Sequence, residues 1–173
     1  MPIYALGDRV PNIHPEAFIH PMATIIGDVT IGPESSVWPS AVIRGDHDTI
    51  VIGARTSIQD GAVVHTAHGV PTTVGDEVVV GHLVHLEGCT IESNSLIGSN
   101  SVVLHGAIVR SGALVAASAF VPNGMEVPSR AIALGVPAKL KLDAVTDPDI
   151  MFSGVGIYVR NSHWYRADLR QIG

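Results

Sequence analysis

Apolar residues recur every six positions along this chain. Ile91, Ile97, Val103, Val109, Val115, Val121 and Val127 are spaced six apart without exception. Ile19, Ile25, Ile31, Val37 and Ile43 carry the same period earlier. Ile52, Ile58 and Val64, then Val74, Val80 and Leu86, carry it through the middle. Four residues after each comes a small or slim side chain, such as Ala23, Val29, Ser35, Ala41, Ala62, Val78, Ala107 or Ala113; Met125 alone is long. A period of six fits neither an amphipathic helix nor the alternation of a half-buried strand. It predicts an all-β solenoid of hexapeptide repeats, a parallel β-helix whose turns bury their apolar edges only by stacking on one another. Three hexads make a coil of 18 residues, and strands of adjacent coils pair about 4.8 Å apart.

The period divides a single domain into three stretches. Residues 1–18 read as a lead-in stiffened by Pro2, Pro11 and Pro15, residues 19–134 as the coils and residues 135–173 as a tail. Thr146-Asp147-Pro148 reads as a helix start, with proline in the first turn. Gly154 and Gly156 weaken the segment that follows. Tyr158, Ser162, Tyr165, Leu169 and Ile172 then give a helical stripe, which predicts a helix near 157–171 packed along the outside of a coil, docked by Trp164 and Tyr165.

The breaks in the period carry the chemistry. Ile43 to Ile52 contains three extra residues, Val64 to Val74 four extra, and Leu86 to Ile91 is one short. Insertions in solenoids are expected as loops on the binding face. The position after each beat is occupied by Arg44, His65, Glu87 and Leu104. Allowing for the insertions, Arg44, His65 and Glu87 are one coil apart and should stack at one corner, rising roughly 5 Å per step. A histidine and a glutamate so placed can reach one metal ion, since Zn–N and Zn–O bonds are about 2.0–2.2 Å. His82 lies two residues after Val80, on another edge. It could complete such a site only across a subunit boundary, which a three-fold arrangement of prisms would provide.

Composition narrows the partners. Charged residues make up 15% and hydrophobic ones 46%, so the chain folds rather than remaining disordered. A net charge of −6, with no basic stripe, argues against nucleic acid. Cys89 is the one cysteine, which suits a reducing, cytoplasmic compartment, and no apolar run suggests a signal peptide or a membrane span.

Arg44-Gly45-Asp46, Ile58-Gln59-Asp60, Val64-His65, Gly81-His82 and Leu86-Glu87-Gly88-Cys89-Thr90, with the tail Leu134-Gly135-Val136-Pro137-Ala138-Lys139, resemble the γ-class carbonic anhydrases and their relatives named for ferripyochelin binding. The resemblance covers nearly the whole chain. It implies a left-handed coil, a homotrimer, zinc (or iron or cobalt) at the subunit interface, and hydration of CO2 to bicarbonate. By the same resemblance His65 is the first metal ligand and His82 the second, supplied by the neighbouring chain. Gln59 stands beside the reactive water, Arg44 and Asp46 form an interface ion pair, and Asp60 is a structural neighbour. The chain departs from the family at the third ligand. Where the pattern has histidine it has Glu87, and a histidine appears two positions earlier as His85. The long acidic loop of the best-studied type has no counterpart. His68, in the nearest insertion, is the candidate proton relay, and His47 is expected to line the cleft.

A His2Glu set is an accepted catalytic zinc set that keeps one position for water. Glu87 could instead turn to Arg44 and abolish the site. His85 could supply a nitrogen only with a change of register. Besides a metal-dependent carbonic anhydrase, two readings from other classes stand. One is a homologue without catalysis that serves as a binding or assembly module. The other is a CoA-dependent acyltransferase using one histidine as general base. The His65/His82 pair with Gln59 speaks against the last. Cys89 is expected to pack rather than react.

Overall fold

A computed structural model describes residues 2–147 and 149–173. The chain winds into a parallel β-solenoid of about seven turns, followed by one C-terminal helix. The six-residue period becomes three columns of apolar side chains, one per face. One column runs Ile19, Val37, Ile58, Val80, Ile97, Val115, Ala133. A second runs Ile3, Ile25, Ile43, Val64, Leu86, Val103, Val121. The third runs Ile13, Ile31, Ile52, Val74, Ile91, Val109, Val127. From Ile43 to Val121 the second column is fully buried. The slim positions Ala23, Ser35, Thr56, Ala62, Ser95, Ala107 and Ala113 are buried with them, at the corners where a larger side chain would not fit.

The lead-in joins this architecture. Ile3–Tyr4 and Asn12–Ile13 both pair in parallel with Thr24–Ile31, so the residues before Ile19 start the columns. At the far end, Lys139–Lys141 folds back antiparallel on Ile132–Leu134 and covers the last edge.

The two insertions behave differently. The three extra residues after Ile43 do not leave the sheet as the repeat rule predicts. Val42–Ile52 is one continuous strand of eleven residues paired with the eight of Thr24–Ile31. The register shifts between Gly27 and Val29 to absorb the excess, as a bulge does. Gly45 makes this possible, because a Cβ there would lie 2.3 Å from the Asp28 carbonyl oxygen. The four extra residues after Val64 do form a loop, closed by a bridge between Ala67 and Val70 around His68 and Gly69.

The helix occupies Asp149–Asp168, starting eight residues before the predicted 157. Pro148, the expected first-turn proline, lies outside the described residues. Val155 and Ser162 are buried, whereas Leu169 and Ile172 fall beyond the helix and are exposed. The helix docks on the face built from Phe18–Ile19, Ser36–Val37, Ser57–Ile58 and Val79–Val80. Tyr165 packs edge-on against Trp38, ring centroids 5.2 Å apart, and Tyr158 and Phe18 complete the aromatic cluster. Trp38 Nε1 donates to the Ser36 and Ser57 hydroxyls at 3.0 Å. Trp164, expected to dock the helix, is 60% exposed.

Ile97 is fully buried between Val80 and Val115 of the adjacent turns. Ile97→Ala should therefore destabilise the coil by about 2–5 kcal/mol. Chemical denaturation should show a lower midpoint with little change in slope. A shift below about 0.5 kcal/mol would mean that the column is not a packed core.

Candidate metal centre

The register that stacks Ile43, Val64 and Leu86 inward stacks the next residue of each strand outward. Arg44 pairs with His65, and His65 with Glu87, on successive turns. Asp46 follows two residues after Arg44 on the same strand. At this corner His65 has a carboxylate at each ring nitrogen. Nε2 lies 2.9 Å from Asp46 Oδ1, and Nδ1 lies 3.4 Å from Glu87 Oε1. The second oxygen of Asp46 is held by the Arg44 guanidinium. Arg44 is thus paired with Asp46, and Glu87 with imidazoles.

Glu87 sits among three histidines. His85 Nε2 is 3.0 Å from Oε2, and His105 Nε2 is 3.3 Å from Oε1. His85 and Glu87 project from the same side of His85–Glu87, because Leu86 between them is buried. His85 therefore reaches Glu87 without any change of register. His105 was not singled out in the sequence. It stands opposite Gly88 rather than Glu87, because the repeat is one residue short there. Gly88 has no side chain and adopts a φ of 59°; a Cβ on it would lie 3.0 Å from His105 Cδ2. That gap lets His105 lean back to Glu87. Thr72 fixes the neighbouring backbone, donating to the His65 carbonyl at 2.5 Å and accepting from the Gly88 N–H at 2.8 Å.

Both carboxyls are held below their ordinary values. Burial opposes ionisation of Asp46, but hydrogen bonds from His65 and Arg44 outweigh it. Burial likewise opposes ionisation of Glu87, and His85, His105 and the charge of His65 outweigh it. Burial pushes the Cys89 thiol up to about 12, so it packs and does not act as a nucleophile.

His82 belongs to a different corner. It lies in the turn after the strand Val79–Val80, which belongs to the other sheet and pairs with Ser57–Ile58. His82 Nδ1 is 3.1 Å from Asp60 Oδ2, one turn away. Gln59 beside them is buried, and its side chain hydrogen-bonds the Tyr158 hydroxyl from the helix. Leu83, next to His82, is held at a φ of 57°, which costs a branched side chain about 1–2 kcal/mol. It points outward and is 61% exposed. The chain thus carries two half-constellations: His65 with Asp46 and Glu87, and His82 with Asp60 and Gln59. His68 is in neither; it is exposed at the loop tip, its ring centroid 4.2 Å from that of His47. Asp46, His47 and His65 each bring a ligand atom within 4.8 Å of the others.

This geometry can be compared with known proteins. Residues 11–45 match the bacterial transferase hexapeptide (six repeats) model. The chain is 57% identical over 118 residues to a Methanocaldococcus jannaschii protein named "Probable carbonic anhydrase", covering 68% of this chain and 74% of that one. The chain belongs to the γ-carbonic anhydrase-like family of hexapeptide-repeat proteins. It is 40% identical to mitochondrial γ-carbonic anhydrase 1 of Arabidopsis thaliana over 84% of its own length, but spans only 54% of that protein. A crystal structure of a hexapeptide transferase family protein from Anaplasma phagocytophilum superposes with a TM-score of 0.88 at 33% identity, covering 95% of this chain and 98% of that one. The coil is the left-handed parallel β-helix of this γ-carbonic anhydrase-like family. No helix among the described residues is long and apolar enough to cross a membrane.

Lowered carboxyl values set the sign of the acid response. A depressed group contributes stability above its unfolded value, 3.8 for Asp46 and 4.5 for Glu87, and loses it as the pH falls through its lower folded value. Urea unfolding from pH 5 to pH 3 should therefore show a steeper loss of stability in the parent than in Asp46→Asn/Glu87→Gln. Equal slopes would show that neither carboxyl is held by its neighbours.

Proposed function

We propose that the protein is a metal-dependent carbonic anhydrase that hydrates CO2 to bicarbonate at a site shared by neighbouring chains of a homotrimer. The observation that carries this reading is His65 seated between two carboxylates, in register with Arg44 and Glu87. Family membership supports it, since γ-carbonic anhydrases are metal-dependent. The donors fit the ion: imidazole and carboxylate suit zinc, and iron or cobalt equally. On this reading His65 and Glu87 of one chain and the neighbouring chain's copy of His82 hold the metal. A bound divalent cation supplies Lewis acidity, lowering the pKa of a coordinated water towards about 7.

The chain's own groups do the rest. Asp46 accepts from His65 Nε2 and orients the ring, leaving Nδ1 on the side of Glu87. Asp60 accepts from His82 Nδ1 and leaves Nε2 to act as a ligand. Tyr158 fixes the Gln59 amide beside His82, where it can orient the reacting water. His68, stacked on His47 at the exposed end of the loop, passes the released proton to buffer. Exposed Leu83, strained beside His82, is placed to seal against the neighbouring chain. The lone, buried Cys89 suits a cytoplasmic setting.

The likeness to a hexapeptide transferase structure favours a second reading, a CoA-dependent acyltransferase. Metal content and CO2 hydration by stopped flow test the first; protection by acetyl-CoA against thermal unfolding tests the second.

Mass measurement in solution should give three chains, and Leu83→Asp should shift the protein to smaller species while the β-type circular dichroism is kept. A monomeric parent that retains full metal would sink the shared site. Glu87→His should raise CO2 hydration, because a neutral nitrogen in place of a carboxylate returns one positive charge to the metal and makes its water more acidic. A variant that stays trimeric, binds zinc fully and gains nothing would refute the claim that this ligand limits catalysis.

A further inference from the structure

On the function proposed above, the shared site would use the side of His65 that faces Glu87. On the other side, Nε2 faces Asp46 at 2.9 Å, and the His47 ring stands next to it with its centroid 5.7 Å from that of His65. The ligand atoms of Asp46, His47 and His65 all lie within 4.8 Å of one another. Donors around a tetrahedral ion with bonds of about 2.1 Å stand about 3.4 Å apart, so closing this set needs the widest gap to contract by at most about 1.4 Å and the Asp46–His65 pair to open slightly. His47 is half-buried between the rings of His65 and His68, and a rotamer change would make that movement. The His68 ring is tilted against that of His47, centroids 4.2 Å apart, close enough for a rotamer change to bring a fourth nitrogen.

All four residues come from the two insertions and the strand ends beside them. The insertions are tied together: the Asp48 N–H donates to Thr66 Oγ1 at 3.1 Å, and that hydroxyl donates to the Asp48 carbonyl at 3.4 Å. Arg44 holds the outer oxygen of Asp46 and leaves the inner one towards the histidines.

We propose that Asp46, His47 and His65, with His68 as fourth donor, form a divalent-cation site within a single chain, separate from the one that needs a neighbour's His82. One carboxylate with two or three imidazoles selects a borderline cation such as zinc, cobalt or nickel, and not magnesium or calcium, which prefer all-oxygen sets. The site does not rest on the catalytic reading, since it uses neither Glu87 nor any residue of a partner. It competes with the shared site for one imidazole: a cation on the Nε2 side displaces the Asp46 hydrogen bond, whereas one on the Nδ1 side keeps it.

Cobalt(II) titration of metal-stripped full-length protein, followed by its visible absorption, tests this. His82→Ala should still bind one cobalt ion per chain. Adding His47→Ala in that background should weaken binding at least tenfold with the circular dichroism unchanged, because His47 lies outside the hydrophobic core. Loss of all cobalt binding in His82→Ala would overturn the proposal and leave the shared site as the metal position. Binding in the double variant within twofold of His82→Ala would also overturn it. If His47→Ala alone abolishes binding while His82→Ala leaves it intact, the single-chain site stands and the shared one falls.

Discussion

Everything in this molecule depends on each hexad sending one large apolar residue and one slim one into a single narrow core. Such a core has no layer behind it. Each buried Ile or Val is covered along the coil axis by its counterparts in the turns above and below, so the columns must be in register or that apolar area stays wet. Fully burying one such side chain is worth about 1.5–3 kcal/mol, and each column repeats that gain at all but its end positions. A slip of one residue would turn every column outward at once. Register is therefore the strongest constraint on the chain, and it fixes the polar positions as firmly as the apolar ones. Arg44, His65 and Glu87 stack because Ile43, Val64 and Leu86 do. Asp60 meets His82 because Ile58 meets Val80.

A column of outward residues spaced by roughly one strand separation is an electrostatic device. Cation, imidazole and carboxylate follow one another up the corner, and Asp46 reaches in from the same strand to complete the alternation. Each carboxylate has donors on both oxygens, which holds both acids ionised despite partial burial. No single corner collects His65, Glu87 and His82. The fold separates them onto different sheets, so only the shared site proposed above would unite them.

Much of this was legible in the sequence. The period gave the columns, and correcting it for the insertions gave the stack of Arg44, His65 and Glu87. The misjudged features are those where local and tertiary signals conflict. The insertion after Ile43 reads as a loop, but glycines at 27 and 45 let two strands approach closely enough to absorb it as a bulge. Gly154 and Gly156 argue against a helix by propensity, yet Asp149–Asp168 forms because one side of it docks on the aromatic cluster around Trp38. His105 escaped notice because the one-residue deficit before Ile91 places it opposite a glycine, and only the space above that glycine reveals where its side chain goes.

The exchange of histidine for glutamate at position 87 reads differently once its neighbours are placed. Positions 85 and 87 share one side of a strand, so moving the imidazole back two residues keeps it within reach of the same spot. His85 takes Oε2 of Glu87 and thereby fixes the carboxylate with Oε1 directed at His65 and His105. The result is a single oriented oxygen in place of a single nitrogen, backed by a histidine where a metal-binding histidine is ordinarily backed by a carboxylate. A carboxylate fixed in this way presents one oxygen to an ion. On the function proposed above, its charge would lower the acidity of water bound to that ion, so a change at this position would act on rate rather than on assembly.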